Sequence, residues 1–383
     1  MRRKTGNALF LKEYNRRRIL SFVREHKSIS GIMLSKLSGL APKSVYEICD
    51  GLIQDGYLYE ASIGSSGGGR KPVMLSLRPD YYYSIGIDID VGMVRAVLMD
   101  ITSTVKFELN ERVDGINYEV YLGLMVKLIK TLYKRNKTDA SKLLGVGLSV
   151  PGLIDIDSKK LIMAPNLKWE NKDLINDLKQ HLSCNIFVEN EAMSSAFCEK
   201  WLGECKNDKD FICINIKSGI GAGIYTCGKP YRGARGSAGE IGHIPLSENG
   251  PLCGCKNRGC LETLASTNAL LTNAKSAFEK EITLDGLIAL AQGKNKAAEE
   301  IFNNAAQYLG LAISFLVNTY NPSKIILGKD FTKYAKFELD VIIDKVNGTA
   351  LKHNASAVRI QPSSFGERAS VLGAAILPQI QIF

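Results

Sequence analysis

Along the first eighty residues the apolar positions follow a helical period and then give way to alternation. Ile19, Leu20, Phe22 and Val23 share one stripe, which predicts a helix over residues 12–26 with Arg16, Arg17 and Arg18 on its approach. Ile32, Leu34 and Leu37, closed by Gly39, predict a second helix. A third is opened by Pro42 and closed by Gly56, and its stripe is Val45, Ile48, Leu52 and Ile53. Residues 57–59 and 73–77 read as the two strands of a hairpin. Residues 1–11 lack a period and read as an arm carrying Arg2, Arg3 and Lys4. Three short helices followed by a hairpin make the pattern of a winged helix-turn-helix.

The grammar changes after Tyr81-Tyr82-Tyr83, which places a domain boundary between residues 83 and 84. Residues 84–90 and 94–100 predict a hairpin, 120–132 a helix, and 143–150 a buried strand that ends in Pro151-Gly152. A helix near 171–181, a strand at 185–188 and a helix at 191–202 follow. A second hairpin opens at 210–216 and 218–224. Helices are then predicted over 263–278, 283–291 and 296–318, buried strands at 324–328 and 358–360, and a last helix at 369–377. The repetition predicts an α/β protein whose residues 84–383 form a duplicated, two-lobed domain, and the cleft between such lobes is the expected seat of a ligand.

Charge divides the chain in the same place. The net charge is +10 over 383 residues, yet residues 1–83 hold 14 Lys and Arg against 7 Asp and Glu, while the remaining 300 hold 35 against 32. Basicity concentrated in the first fifth points to a polyanion, and with the helix-turn-helix to operator DNA. In that motif the second helix of the pair lays its N-terminal residues on the major groove. Lys43, Ser44 and Tyr46, with Glu47 beside them, are the candidate contacts, and Arg70 and Lys71 at the hairpin tip suit phosphate or the minor groove. No apolar run approaches the roughly 20 residues that cross a bilayer. The chain opens on no export signal and carries nine cysteines, an odd number, so a reducing cytoplasm and metal binding are expected over disulfides.

The chemistry gathers in the stretch 239–262. His243, Cys253, Cys255 and Cys260 fall within eighteen residues, with Gly254 and Gly259 among the thiols, whereas the other six cysteines are scattered. Three thiolates and an imidazole suit a closed tetrahedral zinc site of structural type. Glu240 and Glu262 in the same stretch are poor ligands beside so many thiols. If the metal fixes the loop, these carboxylates and the free nitrogen of His243 can converge on one polar ligand.

On the stretch GEIGH followed by CGCKNRGCLE, the chain resembles the ROK family of sugar kinases and sugar-responsive repressors, over essentially its whole length. The resemblance implies actin-like, ribonuclease H-like lobes and zinc on His243, Cys253, Cys255 and Cys260. It also implies sugar contacts at Gly152 in the Pro-Gly turn, Asn166 in PNL, Asn190 in ENEA, and Glu240, His243 and Glu262. Alternating amides and carboxylates can satisfy the ring of hydroxyls that a sugar presents.

Three departures from the family's kinases imply that catalysis is lost. Asp88-Ile89-Asp90-Val91-Gly92-Met93 replaces the Asp-x-Gly-Gly-Thr phosphate loop and puts a carboxylate where phosphate would lie. Glu191 follows Asn190 in place of the general-base Asp, a carboxylate one methylene longer that can still accept from a sugar hydroxyl. Gly328-Lys329 replaces the Gly-Gly pair that admits adenosine. The expected protein is a non-enzymatic, dimeric transcriptional repressor that holds operator DNA and responds to a monosaccharide. The Asn190-Glu191 pair resembles the xylose-responsive members, which implies xylose as the effector, with glucose next.

Overall fold

The computed structural model describes residues 8–63, 72–137, 139–155 and 157–383. Its first helix, α1, spans Ala8–His26, so residues 8–11, expected in the arm, are helical. They contain no breaker, but Phe10 and Leu11 stay 66% and 52% exposed and so add nothing to the core stripe that announced the rest of the helix. The two-residue strand β1 (Ile29–Ser30) leads into α2 (Gly31–Ser38), and the Ser30 hydroxyl accepts the N–H of Met33 as its cap. Gly39 ends α2 at φ +70°, and Pro42 opens α3 (Pro42–Gln54). Strands β2 (Leu58–Ile63) and β3 (Val73–Leu77) pair antiparallel, Leu58 opposite Leu77. β1 adds to the far edge of β3, a strand too short for alternation to reveal. Ile19, Val23, Leu34, Val45, Leu52 and Leu58 are buried together beneath these elements.

Strands β4 (Tyr83–Asp90), β5 (Met93–Asp100) and β6 (Val105–Arg112) form an antiparallel meander. Helix α4 (Tyr118–Asn136) crosses to β7 (Leu143–Val150), which lies parallel to β4. A small antiparallel sheet of β8 (Leu153–Ile154), β9 (Leu161–Ala164) and β10 (Trp169–Lys172) follows. Residues 171–172, expected to begin a helix, therefore belong to a strand, and the helix α5 is confined to Leu174–Lys179. Trp169 decides this. Its ring stands edge-on to Tyr118 and Tyr121, 5.1 Å from each, and its indole N–H donates to the carbonyl of Ile116. Strand β11 (Ile186–Asn190) and helix α6 (Glu191–Trp201) complete the lobe, with sheet order β11-β7-β4-β5-β6.

The second lobe repeats the first. A meander of β12 (Phe211–Ile216), β13 (Ile220–Thr226) and β14 (Lys229–Tyr231) is followed by α7 (Leu261–Ala265) and α8 (Thr267–Phe278). One continuous helix was expected from 263, but Ser266 interrupts it by capping α8 through the N–H of Ala269. Then come α9 (Leu284–Gln292), α10 (Lys296–Tyr320), β15 (Lys324–Lys329), α11 (Phe331–Thr349), α12 (Lys352–Ala355), β16 (Arg359–Pro362) and α13 (Ala369–Ile380). The sheet order β14-β13-β12-β15-β16 is that of the first lobe, three antiparallel strands and then two parallel ones. The sequence pattern passes over the 19-residue α11, whose buried positions include Glu338 among Phe331, Tyr334, Ile342 and Val346.

Helices α6 and α13 lie back to back where the lobes meet. A Cβ at Gly373 would fall 1.7 Å from the carbonyl oxygen of Ser194, and one at Gly147 would fall 1.9 Å from that of Ala374. Only glycine allows this approach, so Gly147 and Gly373 set the spacing between the sheet of the first lobe and the helix pair.

Candidate sugar cleft and metal knot

After β14 the chain passes Gly239, at φ +99° and pressed against the carbonyl of Ala222, and makes one tight turn at Ile241–His243. The return stretch is tied by two antiparallel bridges, Pro245 to Cys260 and Leu252 to Arg258. Gly259, at φ +62°, leaves room where a Cβ would sit 1.8 Å from the carbonyl oxygen of Ser247. The result gathers His243, Cys253, Cys255 and Cys260 with all ligand atoms within 4.8 Å of one another. Nδ1 of His243 lies 3.5 Å from Sγ of Cys253, and Sγ of Cys255 lies 3.6 Å from Sγ of Cys260. Tetrahedral bonds of about 2.3 Å give edges of about 3.7 Å, close to the two shortest separations, so the four atoms could hold one metal ion. Among the described residues they form the one such cluster.

Because Nδ1 faces the thiols, Nε2 of His243 is left for the cleft, where its influence reaches both Glu240 and Glu262. Desolvation raises the pKa of each carboxyl, His243 pulls each down, and Glu262 adds to the rise at Glu240. Gly152, Asn190 and Glu240 border a common narrow space. Gly152 sits at φ +116°, with the carbonyl of Met163 where a Cβ would be. The side chain of Asn190 is already employed: Oδ1 caps α6 by accepting from Ala192, and Nδ2 donates to the carbonyl of Gly152 at 2.8 Å. Its amide thereby fixes the Pro-Gly turn to the start of α6. Asn166 reaches across from the first lobe to Ser218, and both Asn166 and Glu262 flank Gly219.

Glu191 takes a different neighbour. Its carboxylate lies 3.8 Å from Nζ of Lys329. Burial pushes its carboxyl up to about 7, with Lys329 pulling it back and Asp90 and Asp88 adding to the rise. Lys329 is 1% exposed at the end of β15 and also meets Asp88 at 3.4 Å and the Ser370 hydroxyl at 2.6 Å. Arg95 bonds Asp88, Asp90 and Glu367, and Lys217 bonds Asp90 from the second lobe. Burial works to strip the proton from Lys329, but Asp88, Glu191 and Asp90 outweigh it and hold the ammonium charged. Burial likewise opposes ionisation of Asp90, and Lys217 and Lys329 overcome it. Three cations and their carboxylates thus fill the region that the altered phosphate loop and the lost Gly-Gly pair mark out. Arg95 and Lys217 escaped the sequence reading; the signal available was that an added carboxylate at 90 and an added lysine at 329 are each improbable inside a protein unless paired.

On α3, Lys43, Ser44, Tyr46 and Glu47 all lie exposed on the outer face, with Val45 turned into the core. Arg70 and Lys71 lie outside the described residues. No described helix is long and apolar enough to cross a membrane.

A duplicated two-lobed α/β domain with a polar cleft, behind a winged helix-turn-helix, is the architecture of a sugar-kinase-like fold joined to a DNA-binding module. The ROK family profile matches residues 84–380. The xylose repressor of Caldicellulosiruptor bescii is 33% identical over 96% of both chains, and that of Bacillus subtilis is 31% identical over 95% of this chain and 94% of its own. The chain belongs to the ROK family. Among solved structures, a ROK family transcriptional regulator homologous to the MLC protein of E. coli shares the fold over 97% of both chains, at TM-score 0.86 and 24% identity. A ROK family glucokinase from Streptomyces griseus, determined with glucose and AMPPNP, matches 77% of this chain and 98% of its own, at TM-score 0.68 and 25% identity. That share is about the length of the stretch 84–380.

Proposed function

We propose that this chain is a sugar-responsive transcriptional repressor. Residues 1–83 hold operator DNA through Lys43, Ser44 and Tyr46, with Arg70 and Lys71 at the hairpin tip, and residues 84–383 sense a monosaccharide. A structural zinc on His243, Cys253, Cys255 and Cys260 shapes the cleft. Asn166, Asn190, Glu240, His243 and Glu262 meet the sugar hydroxyls, with Gly152 forming the wall and Glu191 at the far end. The effector is xylose, with glucose next, a reading supported by the xylose repressors that match almost the full chain and by the Asn190-Glu191 pair. Two copies pair on a palindromic site in the cytoplasm.

The observation that carries the reading against phosphoryl transfer is the ion-pair network of the buried Lys329 and Arg95 with the part-exposed Lys217. A triphosphate brings about four negative charges and needs free donors, whereas here the cations are already paired with Asp88, Asp90, Glu191 and Glu367. Calorimetric titration of the protein with xylose, glucose and an acetylated hexosamine is the direct test, followed by operator release in a gel-shift assay. Xylose is expected to bind and to release the operator, with no sugar-dependent consumption of ATP. Silence from every pentose and hexose, or steady phosphorylation of any of them, defeats the reading.

A further inference from the structure

A second space, larger than the one that Asn190 and Glu240 border, lies beside it. This cavity of about 410 Å³ lies between β11, α6, β13 and the end of α13, next to that narrow space and sharing Glu189 and Arg232 with it. Its volume falls in the range of about 300–1,000 Å³ of small-molecule sites. The walls are apolar and partly aromatic, with Ile186, Val188, Phe197, Trp201 and Ile380 around the space.

Two polar side chains at the wall can donate into the space. Tyr225 is 5% exposed, its ring stacked on Phe211 and edge-on to Phe197, and it lines the cavity. Its phenolic O–H can donate to a ligand there. Arg232 beside it gives one guanidinium nitrogen to Oε2 of Glu189 at 2.5 Å, and its other N–H donors meet no acceptor among the described residues. The lining charges are Lys159, Lys200 and Arg232 against Glu189 alone. The ammonium of Lys200 is already committed to the carbonyls of Lys206 and Asp208, which leaves the half-buried Arg232 as the cation available at the wall. Spare donors, a cationic balance and an apolar body of space together describe the complement of a small carboxylic acid with an aromatic or branched hydrocarbon body.

We propose that this cavity is a second ligand site, taking a small apolar carboxylate whose oxygens accept from the Tyr225 hydroxyl and the Arg232 guanidinium. The site is placed to act in two directions. Oε1 of Glu189 accepts the backbone N–H of Asn190, so an acid that draws on Arg232 bears on the residue that fixes the Pro-Gly turn. On the other side Trp201 lies under Arg24 of α1, the guanidinium 3.6 Å from the ring centroid, and meets Phe383 edge-on. The Ser21 hydroxyl of α1 donates to the carbonyl of Phe383. Occupancy is therefore felt by the first helix of the DNA-binding domain as well as by the cleft, and the coupling is reciprocal.

The experiment is calorimetry of the full chain with 2-naphthoate, and with 2-naphthamide as the uncharged comparator. Saturable binding of one naphthoate per chain is expected, with the amide at least about tenfold weaker. Tyr225→Phe, which keeps the ring and removes the hydroxyl, is expected to weaken naphthoate about tenfold while leaving the xylose titration as in the wild type. Val188→Trp fills the space and is expected to abolish naphthoate binding, its thermal unfolding serving as the control that it is folded. The proposal is overturned if naphthoate gives no saturable heat, or if both folded variants bind it as the wild type does. The site does not depend on the sugar reading: naphthoate binding with no response to any sugar would tell against that reading and leave this site standing.

Discussion

At the scale of single residues, the side chains that most alter the chemistry of this chain are Glu191 and Lys329. Lys329 stands where the family's kinases have glycine, and inside the protein an ammonium is tolerable only because Asp88 and Glu191 face it. Lys329→Met leaves those carboxylates buried with half their compensation and should cost about 3–5 kcal/mol in denaturant unfolding; an unchanged midpoint would mean that the network holds nothing in place. Glu191 carries the pH dependence. Its carboxyl, pushed up to about 7, is protonated below that value and charged above it. A carboxylate accepts from a sugar hydroxyl better than the acid does, so sugar affinity should rise as the pH climbs from about 6 to about 8. In Glu191→Gln the rise should vanish, as read by calorimetry across that window. Stability runs the other way. Because the folded pKa lies above the unfolded value of about 4.3, the contribution of Glu191 is full below about 4.3 and is lost as the pH rises through 7.

At the scale of elements, the loop 239–262 is closed only by two short backbone bridges, and its three thiols and imidazole, within 4.8 Å of one another, have no covalent tie. Dialysis against a strong chelator should remove about one zinc per chain, lower the thermal midpoint by several degrees, and weaken sugar binding about 10- to 100-fold by releasing His243, Glu240 and Glu262. Metal analysis and calorimetry on the same sample check it. Helix α3 presents Lys43 to solvent with Val45 turned inward, the disposition of a helix that offers its outer face. Lys43→Ala should weaken operator binding and make the dependence of log affinity on log salt shallower by about 1, because one phosphate contact fewer releases one counterion fewer.

At the scale of the whole molecule, the DNA-binding domain and the sugar lobes meet at several points, Lys142 on Tyr81 and Lys106 on Asp80 among them, and one contact joins α1 itself to the lobes: Arg24 over Trp201, with Phe383 beside it and Ser21 bonded to the chain end. An effector shifts a regulator only by its unequal affinity for two arrangements, so the contact between sensor and reader is where that difference must be transmitted. Arg24→Ala should leave operator affinity without sugar within a few-fold of the wild type while shrinking the loss of affinity that xylose brings. Gel shifts with and without xylose give both numbers, and a full response in the variant would place the transmission elsewhere.

What the sequence determined by itself is whatever is written locally. The three helical stripes, the hairpin strands, the repeated strand grammar from residue 84 and the ligand spacing of His243, Cys253, Cys255 and Cys260 each lie within a few turns of chain, where periodicity and spacing are legible. The losses at residues 90, 191 and 329 were legible too, but only as absences of a phosphate site. The tertiary structure alone decided what replaced it, because Arg95 on β5, Lys217 after β12 and Lys329 at the end of β15 are far apart in the chain and meet only when the two sheets are closed over α6 and α13. It also decided that Asn190 spends its amide on holding Gly152 and capping α6, and that a cavity opens beside Glu189. Charge pairing and enclosed space are properties of distance in three dimensions, and no one-dimensional period encodes them.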